Sequence, residues 1–333
     1  MSCTGFVGLQ WSRRGGPAVG AASFGETDEQ MLNHTKNYMV RATADDGLVR
    51  AYAIDATAVV SELMHRQGTE PAVTAAIGRL ATGTLLFGAM LKEERHTVTV
   101  RLQGDGPAGM LLATANGRGE VRGLVGRPTT NVDQVRNGKL NVSGVVGRRG
   151  RLTVTRDLGL RQPYVGVTEL VSGEVGEDLA HYLASSDQIP SAVGIGVFVQ
   201  ADGEVEAAGG YVVQLMPGVR DATAVAIENA VSALPHPTTM IRSGDSPEDM
   251  LGRIFPGGFE LQDRIPVRFH CPCSLERVER ALMLLGEDAL REIVANDAAR
   301  GETEVVCEFC GERYIIPVAG VETLAQRAAK RSA

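Results

Sequence analysis

Four cysteines near the end of the chain carry the densest chemistry in the sequence. Cys271-Pro272-Cys273 and Cys307-Glu308-Phe309-Cys310-Gly311 offer two pairs of closely spaced thiols. Zinc is held well by four thiolates in a tetrahedron, and such pairs supply them two at a time. The two-residue gap of the second pair lets both sulfurs face one ion, and Gly311 permits the tight backbone that follows. Pro272 fixes the backbone between the first two thiols. The expected ligands of one zinc ion are therefore Cys271, Cys273, Cys307 and Cys310. Spacing alone leaves two roles open. An architectural site is the commoner use of four cysteines. A redox site is the other, because each pair can close on itself as a small-loop disulfide and so consume its own ligands. His270 reads as a flanking polar residue, and nothing suggests the open coordination position of a catalytic zinc. The fifth cysteine, Cys3, stands alone and reads as an incidental thiol.

Other catalytic patterns are missing. The chain has no P-loop, no G-x-S-x-G elbow and no H-E-x-x-H. Gly194-Ile195-Gly196 lacks the third glycine of a dinucleotide motif and reads as close packing. His181, Ser185 and Asp187 are near neighbours in sequence, whereas hydrolase triads are assembled from distant segments. No enzyme is expected.

The chain has 333 residues, 44% of them hydrophobic and 22% charged, with a net charge of −7. An acidic chain repels phosphate backbones, so nucleic acid is not an expected partner. A zinc-ribbon nucleic-acid-binding protein is the alternative reading, but residues 267–333 hold 9 Lys/Arg against 11 Asp/Glu. The basic run Arg148-Arg149-Gly150-Arg151 reads as a solvated turn before a strand. A thiol oxidoreductase using Cys307 and Cys310 would place them at a helix N-terminus in a βαβ unit, whereas here they lie between strand-like runs. No apolar stretch reaches the ~18–20 residues of a membrane span, the closest being 83–91, so no membrane partner is expected. Late-clustered, odd-numbered cysteines suit a reducing, cytoplasmic compartment rather than a disulfide framework.

These residues must be positioned by a mixed α+β chain. Residues 1–37 read as a disordered extension. Residues 38–217 read as an α+β domain, with strands about the turn Asp45-Asp46-Gly47, helices over 57–67 and 71–92, strands over 97–102, 110–115, 152–156, 165–171, 195–200 and 205–213, and one helix near 176–184. Residues 218–266 read as a helical, metastable linker broken by prolines. Its apolar faces, Ile227/Val231/Leu234 and Leu251/Ile254/Phe255, are candidate client-binding or core-covering surfaces. Residues 267–320 read as a small zinc-binding domain, with a helix capped by Ser274 and a hairpin flanking the second cysteine pair. Residues 321–333 read as a tail. So small a unit needs a staple, and a structural zinc supplies ~10–16 kcal/mol.

From Tyr38 onward the chain resembles the heat-shock protein 33 family. The resemblance rests on residues 40–47, on Arg156-Asp157-Leu158-Gly159-Leu160, on 163–166, on 170–180 and on Ser186-Asp187-Gln188-Ile189-Pro190. It continues through Ala208-Gly209-Gly210-Tyr211 and 214–218 to both cysteine pairs. Asp187 stands where the family usually shows glutamate, and residues 1–37 have no recognised counterpart. The resemblance implies a redox-regulated, ATP-independent holdase chaperone, inactive when reduced and zinc-bound. It further implies that oxidation forms Cys271–Cys273 and Cys307–Cys310 disulfides, releases zinc, unfolds the small domain with its linker and exposes surface for unfolding client proteins. It also implies a homodimer when oxidised.

Overall fold

The computed structural model describes residues 37–136 and 138–332, which fall into two compact units, 37–270 and 271–332. The extension read over 1–37 lies outside the described residues except for Asn37. That residue belongs to the fold: its side-chain carbonyl accepts the Ala58 N–H at 2.6 Å, and its backbone carbonyl accepts the Val267 N–H at 3.1 Å.

The first unit opens with β1 (Tyr38–Ala44) and β2 (Val49–Asp55), joined by a turn in which Asp45, Asp46 and Gly47 all have positive φ. α1 (Thr57–Gln67) ends on Gly68 in the left-handed conformation, and α2 (Pro71–Ala89) starts with proline in its first turn, where the missing N–H is harmless. Next come β3 (Thr97–Gly104), β4 (Met110–Asn116), β5 (Glu120–Val125), the short pair β6 (Val135–Arg136) and β7 (Lys139–Leu140), and α3 (Val142–Val146). β8 (Gly150–Asp157), β9 (Tyr164–Glu169), α4 (Gly176–Ser185), β10 (Ser191–Val199) and β11 (Val205–Leu215) follow. The unit closes with α5 (Asp221–Ala233), α6 (Pro237–Arg242), α7 (Pro247–Ile254), β12 (Glu260–Pro266) and β13 (Arg268–Phe269).

Two sheets result. One is antiparallel, in the order β10-β11-β2-β1-β12; the other runs β13-β5-β4-β3-β8-β9, with only β13 parallel to its neighbour. α2 packs against strands of both sheets. It is apolar nearly all round, the pattern of a helix buried on every side. By length and composition α2 could cross a membrane, but 94% of that stretch is buried inside the protein. Close approach is what its glycines allow: a Cβ on Gly88 would sit 2.8 Å from the Asn116 carbonyl oxygen of β4. Gly194 does the same in β10, where a Cβ would lie 2.5 Å from the Tyr211 ring, so the lone G-x-G is a packing feature.

The other face of the five-stranded sheet is covered by α5, α6 and α7. Together they enclose a second core of Val40, Ala42, Val49, Ala51, Ala53, Ala207, Tyr211 and Val213 with Ile227, Met240, Ile241, Met250, Leu251, Ile254 and Phe255. The segment 218–266 thus holds a third helix, α6, and a strand, β12, beyond the two helices its pattern suggested. β12 is charged and almost wholly exposed; pairing with β1 makes it a strand, not its own composition.

Buried polar groups organise the rest. Asp178 is fully buried, and its carboxylate accepts the N–H groups of Val171, Ser172, Gly173 and Val175 at 2.8–3.4 Å. That hub fixes the loop into α4, where Val175 has φ 68°. Arg156 of β8 makes a two-pronged contact with Asp187 at 2.5 and 3.1 Å, and a third bond to the Tyr182 hydroxyl at 3.2 Å. Two segments that carried the family resemblance therefore meet here.

Candidate metal centre

The second unit consists of α8 (Leu275–Met283), α9 (Glu287–Asp297), β14 (Glu302–Val306), β15 (Arg313–Pro317) and α10 (Val318–Ser332). Ser274 caps α8, accepting the Arg277 N–H at 3.3 Å. Gly286, with φ 89°, turns the chain into α9. β14 and β15 form an antiparallel hairpin with Val305 opposite Tyr314. The residues read as a tail are the helix α10. Its Val321, Leu324, Ala325 and Ala328 recur at one-face helical spacing and complete a small core with Leu282, Leu290, Ile293, Val305 and Ile316. Asp297 is buried beneath them, accepting from Thr303 Oγ1 at 2.8 Å and paired with Arg300.

The hairpin's connection holds the second cysteine pair. The Cys307 N–H donates to the Glu312 carbonyl and the Gly311 N–H to the Cys307 carbonyl, both at 2.8 Å, and Gly311 takes φ 74°. This tight turn aims the N–H groups of Cys310 and Phe309 at the Cys307 sulfur, and that of Glu312 at the Cys310 sulfur. The first pair lies just before α8. Its sulfurs meet those of the second: Cys271 Sγ is 3.7 Å from Cys307 Sγ, and Cys273 Sγ is 3.3 Å from Cys310 Sγ. All four lie within 4.8 Å of one another. A tetrahedron with ~2.3 Å metal–sulfur bonds has edges of ~3.8 Å, so the donor set fits a four-thiolate ion.

The electrostatics agree with that fit. The Cys307 thiol is pushed above its ordinary range, chiefly by its contact with Cys271. Cys310 is pushed up by Cys271, then Cys307, then burial. Tyr314 is raised as well, first by its hydrogen bond to Cys273. Four crowded sulfurs resist becoming four anions unless a cation balances them.

The other sequence candidates are placed plainly. Leu251, Ile254, Phe255 and Ile227 are buried in the second core, and Val231 and Leu234 pack against it half-buried. His181, Ser185 and Asp187 form no triad: the Ser185 hydroxyl donates to the His181 backbone carbonyl, while Asp187 is held by Arg156. Cys307 and Cys310 lie between two strands, not at a helix N-terminus. Met240 and Ile241, buried in the second core, were missed in sequence because Pro235-His236-Pro237 read as a stop.

The comparison with known proteins completes the picture. A family model described as "Hsp33 protein" matches residues 37–317. The chain belongs to the Hsp33 family. Among its relatives, the 33 kDa chaperonin of Bacillus subtilis (strain 168) is 44% identical over 288 residues, covering 86% of this chain and 98% of that protein. The 33 kDa chaperonin of Geobacillus kaustophilus (strain HTA426) is 43% identical, covering 88% and 99%. The crystal structure of the 33 kDa chaperonin (HSP33) of Thermotoga maritima superposes with a TM-score of 0.80 at 32% identity, covering 88% of this chain and 99% of that one. The α+β class read from the sequence is thus the class of a solved Hsp33 structure. A cluster of four cysteines in the C-terminal unit completes this Hsp33 chain.

Proposed function

We propose that this chain is a redox-regulated, ATP-independent holdase of the cytoplasm, without catalytic activity, whose partners are unfolding client proteins. The gathering of four sulfurs from two sequence-local pairs carries the reading. One zinc ion bound by Cys271, Cys273, Cys307 and Cys310 would hold them as thiolates and contribute ~10–16 kcal/mol to the fold of the small unit. An oxidant of the peroxide class turns Cys271 with Cys273, and Cys307 with Cys310, into disulfides. Each pair of thiolates gives up two electrons as its S–S bond forms, and one peroxide takes them up with two protons from solvent, its O–O bond breaking to leave two waters. The sulfurs so spent are no longer ligands, and a unit with so small a core does not persist without its staple.

The consequence for the rest of the chain is a loss of cover. α5, α6 and α7 are short helices held by packing rather than by their own propensity. When 218–266 loosens, Ile227, Val231, Leu234, Leu251, Ile254 and Phe255 are freed, along with the sheet face beneath them. Both surfaces are apolar and suit unfolded segments, and two such molecules pair as a homodimer through the same exposed area. The zinc-ribbon reading has no comparable support, given the acidic balance around the cysteines.

Zinc content and suppression of client aggregation, measured before and after peroxide, test this function. Zinc falling from one ion per chain toward none, with suppression rising in parallel, is the expected result. Retained zinc, or no gain in suppression, would sink the switch.

A further inference from the structure

Two methionines sit in the second core, and both come from the helices that cover it. Met240 belongs to α6 and Met250 to α7; they are 1% and 0% exposed. The sheet side of that core supplies valines, alanines and Tyr211 but no methionine. α6 packs against β11, and α7 against β1 and β2. Met39 provides the contrast. It too is 0% exposed, yet it belongs to the first core, around α2, while its neighbour Val40 belongs to the second. Successive strand residues face opposite sides of a sheet, so equally buried thioethers lie under different cover.

Burial is what protects them. A thioether carries no charge and is a weaker nucleophile than a thiolate, so cysteines react first and access decides which methionines follow. With the helices in place, peroxide reaches neither sulfur. The helical layer is the part of the first unit that the switch opens, so both sulfurs become reachable after the cysteines have reacted. One peroxide then transfers one oxygen atom to each sulfur. Its O–O bond breaks, an S=O bond forms, the sulfur gives up two electrons, and the remaining oxygen leaves as water with both protons. A polar sulfoxide replaces a flexible apolar side chain. Packed again among the aliphatic side chains of this core, its S=O dipole would lose the water that solvates it.

We propose that Met240 and Met250 are secondary oxidation sites, shut in the reduced protein and opened to peroxide by loss of the helical layer, and that their sulfoxides hold the layer open after the cysteines are reduced again. The inference rests on the switch reading and adds a memory to it. Restoring the cysteines then does not by itself close the protein. Closure also needs an enzyme of the methionine sulfoxide reductase class, which returns each sulfoxide to a thioether at the expense of a dithiol.

The test treats the reduced, zinc-loaded full chain with excess peroxide and follows zinc release beside peptide mass mapping of the methionines. Gain of oxygen at Met240 and Met250 is expected to lag zinc release and to run at least tenfold faster than at Met39. Dithiothreitol and zinc are then supplied. The wild type is expected to keep most of its suppression of client aggregation, whereas Met240→Leu/Met250→Leu, a volume-conserving change, falls back to the reduced-state level. Methionine sulfoxide reductases A and B are expected to bring the wild type back as well. That second arm uses no variant, so it stands even if the leucine pair packs poorly. Oxygen gained at Met39 as fast as at Met240 and Met250, or gained at those two before zinc leaves, overturns the proposal. So does complete shut-off of the wild type by dithiothreitol and zinc with both sulfoxides still in place. If peroxide never brings suppression, the switch reading falls and this one with it; if suppression appears and then reverses fully with the sulfoxides present, only this one falls.

Discussion

At the cysteines, all four sulfurs are mutually close, so geometry alone does not choose a disulfide pattern, and that makes the pattern informative. Two close sulfur contacts, 3.7 Å for Cys271 with Cys307 and 3.3 Å for Cys273 with Cys310, run across the two pairs, while Cys307 and Cys310 also touch within theirs. The proposed disulfides run within them. Once the site loosens, chain connectivity keeps Cys271 beside Cys273 and Cys307 beside Cys310, while the cross-pairs must close much longer loops. Non-reducing peptide mapping after peroxide is therefore expected to find Cys271–Cys273 and Cys307–Cys310. Finding Cys271–Cys307 and Cys273–Cys310 instead would mean that oxidation is completed inside the folded site. A second prediction follows from how little else holds the unit. Cys310→Ser removes the sulfur of a buried residue that touches Cys273. Bound zinc is expected to fall to near zero, and the unit to lose its cooperative melting, because the ~10–16 kcal/mol of a structural zinc far exceeds what a core of this size supplies. A single serine variant with full metal content and an unchanged melt would refute that.

Among the elements, α7 is the one whose ends are legible in both sequence and structure. Ser246 and Asp249 form a reciprocal capping box: the Ser246 hydroxyl accepts the Asp249 N–H, and the Asp249 carboxylate accepts the Ser246 N–H at 2.9 Å. Bonds from the Ser246 side chain, then its backbone, hold the Asp249 carboxyl below the ordinary value of 3.8. A carboxyl depressed on folding contributes stability that is fully present above its unfolded pKa and is lost as pH falls through the folded one. The protection of α7 amides, measured relative to intrinsic exchange at each pH, is thus expected to fall below pH ~4, and Ser246→Ala to weaken the helix by ~1 kcal/mol at neutral pH. Unchanged protection at Ser246 and Asp249 on acidification would discount the box. Proline and serine wrote this start into the sequence. The neighbouring strand β12 was not legible, because a charged, exposed run becomes a strand only through β1, nearly 220 residues away along the chain. β5 was missed because Arg122 and Gly123 interrupt its apolar run. α10 had the periodicity of a helix, yet its partners come from α8, α9 and the hairpin, so its membership in the core could be seen only once folded. Leu324→Ala, at 3% exposure, is expected to cost the small unit ~2–5 kcal/mol, read as a lower chelator concentration for unfolding. An unchanged chelator midpoint would show that α10 carries no weight in that core.

For the whole molecule, the first unit holds two cores of unequal standing. One surrounds α2 between the sheets and takes from 218–266 only the half-buried Ile265, with Val267 and Phe269 just beyond that segment. The other exists only while α5, α6 and α7 lie on the five-stranded sheet. The proposed switch needs the second to open while the first stays closed, and the burial pattern allows this: helices of six to thirteen residues on one face of a sheet form a low-stability layer over a continuous core. The layer can be tested without touching a cysteine. Leu251 is fully buried in the second core, and Leu251→Asp places an unpaired carboxylate there, at a cost of several kcal/mol. If loss of cover is what activates the protein, this variant suppresses client aggregation without peroxide, binds a hydrophobic dye as the oxidised wild type does, and still carries one zinc. The cooperative melt of the α2 core is expected to remain. A Leu251→Asp protein that keeps its zinc, exposes its sheet and yet stays inactive until oxidised would place the client surface elsewhere, on the small unit's own unfolded residues.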